Sequence, residues 1–136
     1  MVRLIMSGSG EGKTKQLIEL MESAAENEVG CMVCIEPQRN MSFNLRHQTR
    51  MIDSSEFDIN SFPVLRGFIS GLYAGNYDIS HIFIDNLCKV AHSSDEREIG
   101  EFLNWLDAFS SPLNLKTTVT ISASADSATD TMRKYM

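Results

Sequence analysis

The sequence has few cysteines, and their positions exclude a disulfide scaffold. The three cysteines are Cys31, Cys34 and Cys88. The spacing of Cys31 and Cys34 is that of a redox or zinc half-site, but no second pair follows it elsewhere in the chain. Both residues also fall inside an apolar run with the pattern of a strand. We therefore expect buried free thiols and neither a metal nor a redox centre at these positions.

Basic side chains are also scarce. Twelve Lys and Arg residues stand against 18 Asp and Glu residues, which gives a formal net charge of -6. Binding to a nucleic-acid backbone relies on clustered cations that release counterions, so a general nucleic-acid-binding surface is excluded. The expected partners are small ligands, other proteins or a second copy of the chain.

Long apolar runs are missing as well. No stretch approaches the length of a membrane-spanning helix, and a strand pattern begins at residue 2 with no signal peptide before it. The 136 residues, 43% of them hydrophobic, suffice for one domain with a sizeable core. We therefore expect residues 1–136 to form a single cytoplasmic domain without membrane contact.

Segments with strand and helix patterns alternate along the chain. Strand patterns, the third of them weak, occupy residues 2–6, 31–35, 50–53, 81–85 and 117–124. Helical spacing of apolar residues occupies 13–28, 61–75, 93–110 and a short segment from about 127. Ser61, and Ser93 paired with Glu96, are the predicted N-terminal caps. This alternation predicts an α/β fold, a three-layer sandwich with a mainly parallel sheet of about four to five strands.

The segment from Ser7 to Thr14 reads Ser-Gly-Ser-Gly-Glu-Gly-Lys-Thr and lies between the first strand and the first helix. Its glycines allow successive backbone N–H groups to turn inward and form an anion-binding nest, to which the helix N-terminus adds the positive end of its dipole. Lys13 is then placed to meet the β- and γ-phosphates, and the hydroxyl of Thr14 to ligate Mg²⁺. The segment therefore predicts a bound nucleoside triphosphate with Mg²⁺.

This segment resembles the Walker A motif of P-loop NTPases, with Ser7 where that motif has its first glycine. The resemblance implies a minimal P-loop NTPase-like fold in which the loop and the first helical residues bind the nucleotide. These residues are Ser9, Gly10, Glu11, Gly12, Lys13, Thr14 and Lys15. The side chain of Glu11 is expected to face solvent. The sequence leaves ATP and GTP both open, because no guanine-reading Asn-Lys-x-Asp element is present.

The apolar run from His81 to Asp85 resembles a Walker B segment. The resemblance implies that Asp85 orients the metal together with Thr14. Many P-loop enzymes have a glutamate directly after this aspartate, whereas this chain has Asn86. Asparagine can orient a water molecule but cannot accept its proton, so this position does not predict fast hydrolysis.

Glu36 is the predicted replacement for the missing glutamate. The run from Val33 to Glu36 is similar to recombinase-type ATPases, which place a water-activating glutamate at the end of the strand that follows the P-loop helix. The alternative is a solvated carboxylate at a strand end. The predicted catalytic residues are therefore Lys13, Glu36 and Asp85. Three arginines follow Glu36 and are either solvated, in contact with a phosphate, or placed to act across a subunit boundary as an arginine finger: Arg39, Arg46 and Arg50.

Three functions remain open from the sequence. The first is a slow Mg²⁺-dependent ATPase or a nucleotide-dependent switch that a protein partner reads. The second is a small-molecule phosphotransferase, because Ile35-Glu36-Pro37 and the arginines after it also resemble thymidine kinases; Asn86 and the lack of cysteines beyond Cys88 depart from that family. The third is a degenerate P-loop fold that serves only as an interaction module.

Overall fold

The computed structural model describes residues 1–8, 13–27, 30–38 and 49–136, with the backbone alone at Lys13 and Thr14. The strands are β1 (Val2–Ser7), β2 (Cys31–Glu36), β3 (Thr49–Asp53), β4 (Ile79–Ile84) and β5 (Lys116–Ser122). The helices are α1 (Lys13–Asn27), α2 (Phe62–Gly75), α3 (Leu87–Ala91), α4 (Glu96–Ser110) and α5 (Asp130–Arg133). Short 3₁₀ helices span Ser54–Phe57, Ser111–Leu113 and Ala125–Ser127.

The five strands form one parallel sheet in the order β1-β5-β4-β2-β3. The predicted α/β class and the predicted parallel sheet of four to five strands are therefore confirmed. β1 and β2 are consecutive in the chain, yet β5 and β4 lie between them in the sheet. The crossover through α1 consequently passes two intervening strands before the chain enters β2. All five carboxyl ends meet at one edge of the sheet because every strand runs in the same direction.

Helices cover both faces of the sheet. On one face, Leu17 and Met21 of α1 pack against Met32, Cys34 and Phe83 of β2 and β4. On the other face, a larger core contains the alternate strand residues and the apolar sides of α2, α3 and α4. This arrangement agrees with the predicted three-layer sandwich. It also explains why β2 is a continuous apolar run, since each of its two faces is buried under a helix layer.

The two long helices after β3, α2 and α4, are capped at their N-termini by different residue types, a serine and an aspartate. Ser61 caps α2 as predicted, and its Oγ accepts the N–H of Val64 at 3.3 Å. The predicted cap of α4 by Ser93 is wrong. Asp95 caps that helix instead and accepts the N–H groups of Arg97 at 2.9 Å and Glu98 at 3.0 Å. Asp95 takes this role because it directly precedes the first helical residue, where a carboxylate reaches those donors.

The sequence pattern missed α3, because five residues are too few to display helical periodicity. The predicted helix from about residue 127 is the short α5, which begins at Asp130. The chain after α5 returns to the sheet, where the carbonyl of Tyr135 accepts the N–H of Leu4 in β1 at 2.7 Å. None of the helices in the described part of the chain combines the length and the apolar composition that crossing a bilayer requires.

Gly30 and Gly71 provide a matched test of the packing. A Cβ at Gly30 would lie impossibly close to the carbonyl oxygen of Asp78 and 3.0 Å from the Cβ of Ser80, whereas a Cβ at Gly71 would have no described atom within 4 Å. Gly30→Ala should lower the free energy of unfolding by about 1–3 kcal/mol through overpacking. Gly71→Ala, inside α2, should raise it by about 0.5–1 kcal/mol. Urea denaturation of both variants measures the difference, and equal midpoints would contradict the packing.

Candidate functional site

The carboxylates of Asp85 and Glu36 lie at the carboxyl edge of the sheet, on the face that α1 covers. Asp85 directly follows β4, and its N–H donates to the carbonyl of Ile35 at 2.9 Å, which continues the pairing of β4 with β2. Glu36 is the last residue of β2. Side chains alternate along a strand, so Asp85 and Glu36 follow Phe83 and Cys34 onto the α1 face. The fold therefore brings the two predicted catalytic carboxylates to neighbouring strand ends.

Thr120 of β5 holds the carboxylate of Asp85. The Thr120 Oγ1 donates to Asp85 Oδ1 at 2.9 Å, and the same oxygen accepts the N–H of Asn86 at 2.8 Å. Thr120 is fully buried and Asp85 is 5% exposed. A buried carboxylate without hydrogen-bond partners would destabilise the fold, and the Thr120 hydroxyl offsets part of that free-energy cost. Asp85 is therefore a fixed group whose Oδ2 accepts no hydrogen bond from the described residues.

Asn86 turns the chain from β4 into α3 through a left-handed backbone conformation, with φ 58° and ψ 65°. Asparagine adopts this conformation more readily than other residues with a Cβ, because its short polar side chain is tolerated there. A glutamate would be strained at this position. The backbone therefore supplies a physical reason why the chain has asparagine after its Walker B-like aspartate.

Glu36 is 1% exposed. The alternative of a solvated carboxylate at a strand end is therefore wrong. Its neighbour on β3 in the register is Asp53. The side chain of Asp53 caps the following 3₁₀ helix and accepts the N–H of Ser55 at 2.9 Å and its hydroxyl at 2.6 Å. The catalytic role of Glu36 stays a prediction.

Cys34 lies between these two carboxylates and the apolar contacts of α1. Burial raises the pKa of its thiol well above the ordinary value, and the charges of Asp85 and Glu36 raise it further. The thiol is therefore neutral and acts as an apolar packing group. Of the two cysteines that were predicted to be buried, Cys34 is buried but Cys31 is exposed, so the prediction is wrong for Cys31; Cys88 is half-buried.

Most of the Walker A-like loop lies outside the part of the chain that the structure describes. Ser9, Gly10, Glu11 and Gly12 lie outside the described residues, as do the side chains of Lys13 and Thr14. The flanking elements agree with the predicted context, since β1 ends at Ser7 and α1 begins at Lys13. Because α1 follows a strand of a parallel sheet, its N-terminus lies at the same edge as Asp85 and Glu36. Lys15 is exposed on the first turn of α1.

Sequence reasoning missed Thr120. Small polar residues alternate with apolar ones from Thr118 to Ser122, which indicates one polar face of β5. Ser122 is exposed at the end of β5, and Ser124 caps a 3₁₀ helix by accepting the N–H of Asp126 at 3.3 Å. The hydroxyl that reaches Asp85 belongs to Thr120, because β5 is the direct neighbour of β4 in the sheet. Only the strand order could identify it.

Of the three arginines after Glu36, the structure describes only Arg50, an exposed residue of the edge strand β3. Arg39 and Arg46 lie outside the described residues. Among the described residues, no group of three or more His, Cys, Asp or Glu side chains is arranged to hold a metal ion. A metal at this site would therefore depend on hydroxyl, water or phosphate oxygens in addition to the carboxylates.

Comparison with known proteins adds no family assignment. No protein-family model matches the chain, and a search among curated proteins gives no significant match.

Substitution of Asn86 tests the left-handed turn beside Asp85. Asn86→Glu should lower the free energy of unfolding by about 1 kcal/mol or more. The reason is that the longer side chain of glutamate lacks the local hydrogen bonding by which a short polar side chain tolerates the left-handed conformation. Asn86→Gly should stay within a few tenths of a kcal/mol of the wild type, since glycine adopts the conformation freely. Urea denaturation followed by circular dichroism compares the two variants. A glutamate variant as stable as the glycine variant would show that the turn imposes no such restriction.

Proposed function

We propose that this protein binds a nucleoside triphosphate with Mg²⁺ and acts as a slow ATPase or a nucleotide-dependent switch, with a minimal P-loop NTPase-like fold. The observation that carries the proposal is the buried Asp85, fixed by Thr120 on the face of the sheet where α1 begins. That helix starts directly after the glycine-rich loop. A phosphate-binding loop and a metal-orienting carboxylate would thus share one edge of the sheet, as ligand sites of open α/β sheets do.

The chemistry of the oxygen donors fits Mg²⁺. This cation prefers carboxylate, hydroxyl, phosphate and water oxygens and is usually held by one or two carboxylates together with substrate phosphates. The proposed protein ligands of Mg²⁺ are Oδ2 of Asp85 and the hydroxyl of Thr14 in the Walker A-like segment. Bound Mg²⁺ would neutralise charge on the phosphates. Lys13 would add a second cation close to the buried carboxylates, where negative charge is otherwise costly.

Glu36 is the candidate base for hydrolysis. Asn86 has no proton-accepting group and its backbone turns away into α3, so the base has to come from another strand. Glu36 ends the adjacent strand on the same face and is buried, and it is the remaining carboxylate at the ends of β2 and β4. In this proposal it takes a proton from the water that attacks the γ-phosphate. A rate below that of ordinary P-loop ATPases is expected because the usual glutamate is absent.

The alternatives differ from this proposal in their products. A phosphotransferase of the nucleoside kinase type would transfer the γ-phosphate to a second substrate, and a degenerate interaction module would bind no nucleotide. No contact among the described residues favours either alternative. They are therefore retained as outcomes of the experiments below.

Thermal denaturation with ATP, GTP and Mg²⁺ tests nucleotide binding. A ligand present at about 100 times its dissociation constant should stabilise the wild type by about 2.7 kcal/mol, with a corresponding rise in Tm. Lys13→Ala should lose this rise because the β- and γ-phosphates lose their ammonium partner. Lys134→Ala, an exposed lysine after α5, is the matched control and should keep it. No rise in the wild type would leave the interaction module as the explanation.

Substitution of Glu36 tests the proposed base. Glu36→Gln should bind ATP like the wild type but release phosphate at least about 100-fold more slowly, because an amide cannot accept the proton. Glu19→Gln, at an exposed position of α1, is the matched control and should hydrolyse ATP at the wild-type rate. Phosphate release is measured alongside transfer to added nucleosides. Full hydrolysis by Glu36→Gln would reject its role, and transfer would favour the phosphotransferase.

A further inference from the structure

We propose that Thr120 is a positioning residue that makes nucleotide binding depend on Mg²⁺, because it fixes the orientation of Asp85. This inference rests on the proposed function. It adds a residue that the motifs do not contain, and it assigns that residue an effect on the metal and not on the triphosphate itself. Thr120 would exert this effect through one hydroxyl group and its two hydrogen bonds.

The hydroxyl of Thr120 has a single proton, and that proton goes to Asp85 Oδ1 at 2.9 Å. The hydrogen bond restrains rotation of the carboxylate and occupies one of its oxygens. No described residue donates to Oδ2, and the inference assigns this oxygen to the metal ion or to a metal-bound water. A carboxylate held in this way is oriented before the metal arrives. Partners of this kind that orient metal ligands typically change metal affinity about 10- to 100-fold when they are removed.

The second hydrogen bond of Thr120 fixes the backbone that carries the carboxylate. The N–H of Asn86 donates to Thr120 Oγ1 at 2.8 Å, directly after the residue that bears the carboxylate. Asn86 has the left-handed conformation, so the chain turns sharply at this point. One buried hydroxyl thereby restrains both the side chain of Asp85 and the turn that follows it.

The position of Thr120 in the sheet explains why it can relate the two parts of the site. β5 lies between β1, which leads into the glycine-rich loop, and β4, which leads into Asp85. Thr120 pairs with Ile5 of β1 in the register. β1 and β4 make no direct pair in the sheet, so their relative position is set through β5. A hydroxyl on β5 thus ties the carboxylate to the strand that positions the phosphate loop.

Calorimetry of ATP binding, once with Mg²⁺ and once with EDTA, tests the inference. The quantity compared is the ratio of the two affinities. Thr120→Val keeps the shape of the side chain but removes the hydroxyl, and it should lower this ratio about tenfold or more. Thr120→Ser keeps the hydroxyl and should restore the ratio to within about twofold of the wild type. Affinity in EDTA should be the same in all three proteins, an outcome that a general loss of structure would not produce.

Thr118→Val is the matched control. Thr118 lies two residues earlier on the same face of β5, is also buried, and its Oγ1 contacts His81 Nε2 at 2.8 Å, away from the carboxylates. This variant should keep the wild-type ratio. If Thr120→Val proves too unstable to measure, Thr120→Cys replaces it, because a thiol is a weak donor and acceptor; a lowered ratio again supports the inference.

Two outcomes overturn the inference and are distinguishable. A wild type that binds ATP more tightly with Mg²⁺, together with a Thr120→Val or Thr120→Cys variant of unchanged ratio, overturns the role of Thr120 and leaves the proposed function standing. A wild type that binds no nucleotide in either condition overturns the proposed function and this inference with it.

Discussion

The constraint on which the candidate site depends is the burial of a carboxylate at the end of a sheet that helices cover on both faces. Removing this carboxylate from water costs free energy. The Thr120 hydroxyl offsets part of this free energy, because it donates a hydrogen bond to Asp85 Oδ1 and accepts one from the backbone N–H of Asn86. Removal of either hydrogen bond would leave a polar group without a partner where little water can reach it. The Thr120 hydroxyl therefore restrains both the carboxylate of Asp85 and the backbone at Asn86, after which α3 begins.

The parallel sheet explains why these groups meet. Every strand points its carboxyl end to the same edge, and side-chain alternation sends Glu36, Asp85 and Thr120 to the face that α1 covers. The strand residues that alternate with these point to the other face and contribute apolar side chains to the larger core beneath α2, α3 and α4. The α1 face therefore combines apolar residues under α1 with these polar groups at the carboxyl ends of the strands. Cys34 lies at the boundary, where burial and the two neighbouring carboxylates raise its pKa and keep its thiol neutral.

Much of the fold could be predicted from local patterns. Apolar runs and helical spacing located all five strands and the longer helices, because each of these elements is long enough to show its period. The errors have local causes too. α3 has only five residues, which is too short to show helical periodicity. The pattern of Ser93 and Glu96 predicted the wrong cap for α4, because Asp95 lies directly before the first helical residue and caps the helix instead. The burial of Glu36 could not be predicted, since it depends on what packs beside the end of β2.

The sequence by itself determined the class of fold, the glycine-rich segment between β1 and α1, and the two carboxylates that end apolar runs, because periodicity and motif order are local properties. Only the tertiary structure decided which strands are neighbours, and hence that Thr120, 35 residues from Asp85 in the chain, is its hydrogen-bond partner. Strand order results from packing helices on both faces of one sheet. That balance involves the whole chain and leaves no signal in any short stretch of residues.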